Sequence, residues 1–476
     1  MGLARMRLRL LFTAKQTFYR YSLLMLSFTI AGCNINHVEG IDVDEVFSQY
    51  EPSLRDGQQL LLNDKWWLAF NDPILNELIE LGLANNPSLS SSLLRLKSSQ
   101  LNIDIANADF YPDLTLNSSA TTDIEKPNKV TDSLIGLSSS WELDLWGRIS
   151  ALEEKAKWDY AARRALHQAR VNALAGSITV TWFNLLAENE KGRIFAGQFS
   201  RTEQALKVIK QRFASGKNSI TDIWQQARLL ESIVAQQTQN NARAQLFKQQ
   251  LSFLVGSHTL PDIELHPLPT FDSLPEMGIS ISMLQQRPDI QQAYAELRSA
   301  NENLAASVSA MFPRLSLRAS YNTRQNDTSE LFDQWAGNLV ASLAQPLFDS
   351  GVRRNRVNQQ ELILQASFAD FRQAWLSAIQ AVEERIINEE RYFKIKELLT
   401  NQRELAEKTA QVVSIKYLHG KTTYLQLLRA QETNLSLERQ LFDARLTLIN
   451  NRVALFRELS HGQFNQTPQF IDLSKN

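Results

Sequence analysis

Phe110-Tyr111-Pro112-Asp113-Leu114-Thr115-Leu116 and Met311-Phe312-Pro313-Arg314-Leu315-Ser316-Leu317 are two versions of one pattern: an aromatic residue, a proline, then strict alternation of polar and apolar residues. In the first copy Leu114, Leu116, Ser118 and Ala120 alternate with Asp113, Thr115, Asn117 and Ser119. In the second, Leu315, Leu317, Ala319 and Tyr321 alternate with Ser316, Arg318, Ser320 and Asn322. A period of two gives a strand one apolar and one polar face. Residues 133–146 and 335–348 supply a partner for each strand, with Trp141, Leu143, Trp335, Leu339 and Leu343 on the apolar faces. The spacing predicts β-hairpins over 113–146 and 315–348. Runs of about ten residues suit a tilted membrane strand. The same pattern also serves a soluble sheet with one face on a core, and alternation alone does not separate the two.

The resemblance between the two stretches extends outward. Asn86-Pro87-Ser88-Leu89 lines up with Arg287-Pro288-Asp289-Ile290, and Leu145-Trp146-Gly147-Arg148 with Leu347-Phe348-Asp349-Ser350. Arg212-Phe213-Ala214-Ser215-Gly216 matches Lys416-Tyr417-Leu418-His419-Gly420, and Leu251 and Val255 match Leu455 and Leu459. Landmarks that keep order and spacing along the chain mark a duplicated unit.

Proline is absent between Pro127 and Pro261 and again between Pro346 and Pro468. Proline breaks helix interiors, and both gaps are rich in Ala, Leu, Gln, Arg and Glu, which favour helix. Two long helical hairpins are predicted: Ser150 to Ala214 returning over Thr221 to Leu254, and Val352 to Tyr417 returning over Thr423 to Leu459. At a rise of 1.5 Å per residue the long arms reach about 100 Å. Such lengths point to a coiled coil or a helical tube.

The N-terminus carries Arg5, Arg7, Arg9, Lys15 and Arg20 with no acid, then an uncharged, mostly apolar run to Gly32. That run is too short to span a bilayer as a helix, which needs roughly twenty residues. Together with the small residues Ala31 and Gly32 it reads as a signal peptide over 1–32. The single cysteine, Cys33, follows Ile30-Ala31-Gly32 as in a bacterial lipobox, and is expected to be lipidated by palmitate-type chains. The bland alternative is an ordinary signal peptide with an incidental cysteine. No later stretch is apolar for long enough to form a membrane helix, so insertion is expected through β-strands in a closed barrel. A formal net charge of -1 gives no electrostatic case for nucleic acid.

Chemistry is thinly represented. The histidines His37, His167, His258, His266, His419 and His461 are scattered without metal-ligand spacing, and there is no Walker loop, dinucleotide fingerprint or nucleophile elbow. The expectation is a protein that is not an enzyme and holds no cofactor or metal, apart from the lipid on Cys33.

Four strands per chain cannot close a membrane barrel, and open edges do not survive in lipid. Eight strands, from two chains, leave an interior filled by side chains. Three chains give about twelve strands and room for a water-filled lumen. Small residues such as Ala161, Ala162, Ala165, Ala169, Ala173 and Ala175 would let neighbouring helices approach closely.

Several further stretches carry a family resemblance: Trp66-Trp67 through Phe70 with Asp72-Pro73, the Trp141–Arg148 stretch, Arg287-Pro288-Asp289-Ile290, Phe312-Pro313, Gln345-Pro346-Leu347-Phe348-Asp349, and the two turn motifs at Gly216 and Gly420. With these, the chain resembles the TolC-like outer-membrane factors, and most of all their lipidated efflux branch. The resemblance implies an α+β membrane protein: a homotrimer with a twelve-stranded β-barrel, a long α-helical barrel built as a coiled-coil tunnel, and internal duplication. It divides the chain into a signal peptide (1–32), an N-terminal equatorial segment (33–75), a first repeat (76–255), an equatorial linker (256–285), a second repeat (286–460) and a C-terminal equatorial tail (461–476).

It further implies location in the outer membrane, lipid-anchored and extending into the periplasm. The implied partners are a periplasmic adaptor (membrane fusion protein) and an inner-membrane transporter of the resistance-nodulation-division type. The turns around Phe213, Gly216, Tyr417 and Gly420 would be the adaptor-docking tips; plain turn chemistry is the alternative. Some relatives place aspartates after the second turn. Here Gln426 and Arg429 stand there, so an acidic constriction is not expected. A periplasmic gate of Tyr424, Gln426 and Arg429 is expected instead, with Arg429 either in a cationic ring or paired with Glu432. The implied function is a passive exit duct of a tripartite pump for drugs or other toxic small molecules (multidrug resistance). A type I protein secretion duct is the alternative on the same fold. A lipid-anchored periplasmic coiled-coil scaffold without a pore is the alternative of another class.

Overall fold

The computed structural model describes residues 46–47, 65–122, 130–260, 263–274, 281–325 and 332–460. Cys33, the signal peptide, most of the N-terminal equatorial segment, parts of the linker and the tail 461–476 lie outside the described residues. The elements run α1 (Pro73–Asn85), α2 (Pro87–Ala108), β1 (Thr115–Thr122), β2 (Val130–Leu143), α3 (Arg148–Ala214), α4 (Ile220–Leu254), α5 (Ile281–Gln285), α6 (Pro288–Ser309), β3 (Arg314–Gln325), β4 (Ala336–Ala344), α7 (Val352–Leu418) and α8 (Tyr424–Leu459). Helices α3 and α7 each run 67 residues without a break, which the proline gaps permit. No described helix is long and apolar enough to cross a membrane.

The chain separates into two compact units, and each draws on both sequence repeats. Among the described residues, the first draws on Lys97–Ala162 and Tyr294–Asp370. Its centre is an antiparallel sheet in the order β1-β2-β3-β4. Register joins Leu116 to Leu137, Leu137 to Tyr321 and Tyr321 to Gly337; it also joins Leu143 to Leu315 and Leu315 to Leu343. Residues directly opposite in a ladder share a face. Leu116, Leu137, Trp141, Leu317, Leu339 and Leu343 therefore lie on one face, where the Tyr321 and Trp335 rings also stack at 5.1 Å. The other face is polar, with Leu134 and Val340 as apolar exceptions. On it Arg324 forks onto Asp132 (2.7 Å), Asn117 donates to Ser138 Oγ (2.7 Å), and Arg314 Nε lies 3.4 Å from Glu142. The apolar face is open: Leu339 is 78% and Leu343 67% exposed.

The Trp141–Arg148 stretch makes the corner from β2 into α3. Trp141 Nε1 donates to Phe110 O and Trp146 Nε1 to Pro313 O, while the Trp146 ring stacks on Phe312 at 5.2 Å. Asp144 accepts from the backbone N–H of Ile149 and Ser150, satisfying donors that a helix start leaves unpaired. Arg148 grips Glu142 with two 2.9 Å bonds. In the second repeat Asp349 takes this role, accepting from Gly351 N and Arg353 N. The positive-φ glycine at the helix start is Gly147 in one repeat and Gly351 in the other. The sequence pairing of Gly147 with Asp349 is thus displaced by two residues.

The second unit takes in the described residues of Val43–Leu96, Arg163–Ala293 and Phe371–Asn476. Its core holds Trp66, Trp67, Trp182, Phe183, Phe371 and Trp375, all buried. The Phe70 ring meets Phe183 of α3, Phe271 of the linker and Phe456 of α8 at 5.2–5.7 Å. Asp72 caps α1 through Leu75 N and also accepts from Trp182 Nε1 (2.7 Å) and faces His266 Nε2 (3.0 Å). Arg287 binds Asp289 (2.8 Å), the Glu458 carboxylate (2.7 Å) and the Glu458 carbonyl (3.0 Å). The linker is strapped to the helices by polar bonds: Leu268 N to Glu190, Arg445 to Leu268 O, Arg452 to Asp272 O and Lys396 to Phe271 O.

Candidate gate and docking turns

Both helical hairpins turn by the same device, within the second unit. At the first turn Gly216 N donates to Phe213 O and Lys217 N to Arg212 O; at the second Gly420 N donates to Tyr417 O and Lys421 N to Lys416 O. Gly216 and Gly420 have φ of 69° and 70°, left-handed values that cost glycine little. The returning helices begin in capping boxes. In α4, Ser219 pairs with Asp222; in α8, Thr423 pairs with Gln426.

Below the turns, α8 and the end of α7 are bonded to α3 and α4. The Tyr417 hydroxyl exchanges bonds with the Asn218 amide (2.6 and 2.9 Å), and the Arg212 guanidinium lies 4.8 Å from the Tyr417 ring centroid. Arg212 Nε also donates to Asn218 Oδ1. The Tyr424 hydroxyl donates to Gln226 Oε1 (2.6 Å), and Gln226 Nε2 donates to Thr202 O (3.0 Å). Ile209, Leu229, Ile233, Leu427, Leu428 and Leu435 pack around the two tyrosines. Burial pushes the Tyr424 hydroxyl well above its usual pKa, with Asp222 and Tyr417 adding to the rise. Further along, Arg228 binds Glu432 (3.0 Å), Gln198 binds Glu438 (2.8 Å), and Lys191 binds Asp443 (2.7 Å).

This arrangement sorts the residues expected at the tips and gate. Phe213 is exposed, and nothing lies near Gly216 or Gly420. Tyr417, at the second turn, is only 6% exposed and is part of the hairpin core. The expected network of Tyr424, Gln426 and Arg429 does not form within the chain. Tyr424 is buried against Gln226, Gln426 closes the α8 capping box, and Arg429 is exposed. Glu432, a suggested partner for Arg429, is taken by Arg228. The capping role of Gln426 was legible in the spacing Thr423-x-x-Gln426, and that of Asp222 in Ser219-x-x-Asp222. The bonds of Gln226 to Tyr424 and of Asn218 to Tyr417 carry no sequence signal, because the tyrosines lie about two hundred residues away. Among the described residues no group of His, Cys, Asp and Glu could hold a metal ion.

The sequence model of the outer membrane efflux protein family matches residues 78–257 and 280–460, one span for each repeat. The chain belongs to the outer membrane efflux protein family. Among its relatives, the cation efflux system protein CusC of Escherichia coli K12 is 24% identical, covering 92% of this chain and 98% of that one. The pyoverdine export outer membrane protein OpmQ of Pseudomonas aeruginosa is 27% identical over 84% and 87%. Among solved structures, the outer-membrane channel OprN superposes with a TM-score of 0.78 at 24% identity, over 86% of this chain and 94% of that one. The protein is an outer-membrane efflux duct and shares the fold of outer-membrane channels.

Proposed function

We propose that three copies of this efflux family member close a twelve-stranded barrel and a helical tunnel, through which small molecules leave passively. The single observation that carries this reading is the sheet. One face exposes Leu116, Leu339 and Leu343, the other pairs Asp132 with Arg324, and the sequence of strands ends at β1 and β4. An apolar face belongs in lipid and a polar one in a lumen. Joining β4 of one copy to β1 of the next removes every edge. In this reading Cys33 carries the lipid anchor, and a periplasmic adaptor docks at the turns through Phe213, Gly216 and Gly420. A transporter of the inner membrane, of the resistance-nodulation-division type, supplies the energy. Small cargo fits the names of the relatives, cations for CusC and pyoverdine for OpmQ.

The gate in this reading is the bond of Tyr424 to Gln226, with the Arg228–Glu432 pair behind it. Arg429, without an ion-pair partner among the described residues, contributes a ring of cations when three copies meet. The test is disulfide capture between β1 and β4 in the native membrane, using Asn117→Cys with Asn338→Cys. Oxidation is expected to give covalent dimers and trimers on denaturing gels. Monomer alone, across several neighbouring pairs, would refute the shared barrel.

A further inference from the structure

Two adjoining clefts open between α3, α4 and α8 in the second unit, with volumes of about 270 and 260 Å³. They share Gln236, Ser436 and Arg439 as a common wall. The acids nearby are already occupied. Asp443 takes Lys191 (2.7 Å), and Glu188 takes Asn240 with Lys191 at 4.0 Å. Glu432 takes Arg228, and Glu438 takes Gln198 and Arg201.

Arg439 is left over. It is half-buried, donates one bond, Nη1 to Gln198 Oε1 (3.1 Å), and has no carboxylate within ion-pair distance among the described residues. A guanidinium carries five N–H donors, and withdrawing a charge from water without a counterion is costly. Burial holds Arg439 below its usual pKa, against the opposing pull of Glu438 and Asp443. Arg243, without an ion-pair partner among the described residues, adds a second cation to the first cleft, while Leu229, Ile233 and Leu435 line the second.

We propose that the joined clefts bind a small organic anion, a carboxylate or sulfonate, with its charged end on Arg439 and its apolar body against Leu229, Ile233 and Leu435. As a binding site this rests on the clefts alone; as a wall site for cargo it rests on the duct reading above. The test is calorimetric titration of the purified full-length oligomer, in a nonionic detergent, with 1-naphthalenesulfonate. The wild type is expected to bind saturably with one site per chain and to weaken as salt rises. Arg439→Gln is expected to weaken binding roughly tenfold or more, on the scale of one charge-assisted hydrogen bond. Arg439→Lys keeps the charge but not the fork, and is expected to fall between the two.

Absence of saturable binding in the wild type, or equal affinity in wild type and Arg439→Gln, would overturn the proposal. So would a wild type that ignores the probe while Arg439→Gln lowers the melting temperature of the oligomer, since a carboxylate of a neighbouring copy then occupies the cleft. Bilayer conductance of the same preparations separates the two readings. Conducting channels without probe binding refute only the cleft, and probe binding without conductance refutes only the duct.

Discussion

Removing one hydroxyl at Tyr424 tests the gate bond with little change in shape. Tyr424→Phe keeps the ring against Leu427 and Leu428 but deletes the donor to Gln226 Oε1. Gln226 is fully buried, so water does not replace the lost partner. An unpaired buried acceptor costs about 1–3 kcal/mol. Gln226→Leu removes the other partner and also the bond to Thr202 O. The pair should therefore be non-additive, with a coupling of about 1–2 kcal/mol in a double-mutant cycle.

The cycle is read by urea unfolding of the purified protein, alongside channel recordings in which Tyr424→Phe should raise the open fraction. The tyrosine also has a pH signature. Its pKa is raised in the fold, so both states are protonated below the unfolded value near 10. As pH climbs past that value the unfolded chain sheds the proton first, and stability falls. The wild type should thus lose more stability than Tyr424→Phe above about pH 10. Single mutants within about 0.5 kcal/mol of wild type, with an additive cycle, would refute the bond as a latch.

Other parts of the structure give sharper contrasts. Leu339→Arg on the apolar face of β4 should cost about 2–4 kcal/mol in the membrane and deplete the outer-membrane fraction, whereas Asn338→Arg on the polar face should be tolerated. The Glu389–Arg452 ion pair is almost fully buried, so Glu389→Gln should destabilise by about 3–5 kcal/mol, measured by thermal melting. Cys33→Ser should abolish labelling by radioactive palmitate while the protein still fractionates with the outer membrane.

Much of this fold was written in patterns that one chain displays locally. The proline gaps leave room for the long helices, and the expected ends fall close to the observed ones: α3 begins at Arg148 against an expected Ser150, and α8 at Tyr424 against an expected Thr423. Period-two alternation assigns Leu116 and Leu339 to the apolar faces of their own hairpins, and the register joins those faces into one. What the sequence withheld was pairing across distance. Aromatic and glycine at a turn, as in Tyr417 and Gly420, look like a surface tip. Only the packing of α3 and α4 against α8 shows that the tyrosine faces inward to Asn218. Gln426 closes the α8 capping box within the chain, a role that the spacing Thr423-x-x-Gln426 carries and that the gate expectation leaves aside. The linker strap was illegible because Arg445 and Arg452 reach backbone carbonyls, which carry no sequence identity.

The central claim is that the polar face of the β1–β4 sheet lines a pore shared by three copies. Planar bilayer recording of the purified full-length protein tests it most directly, with heat-dissociable oligomer checked on gels from the same preparation. The account predicts discrete unitary conductance steps from the oligomer, lost when it is dissociated by heat before addition. A folded oligomer that never conducts, in wild type or in Tyr424→Phe, would contradict it.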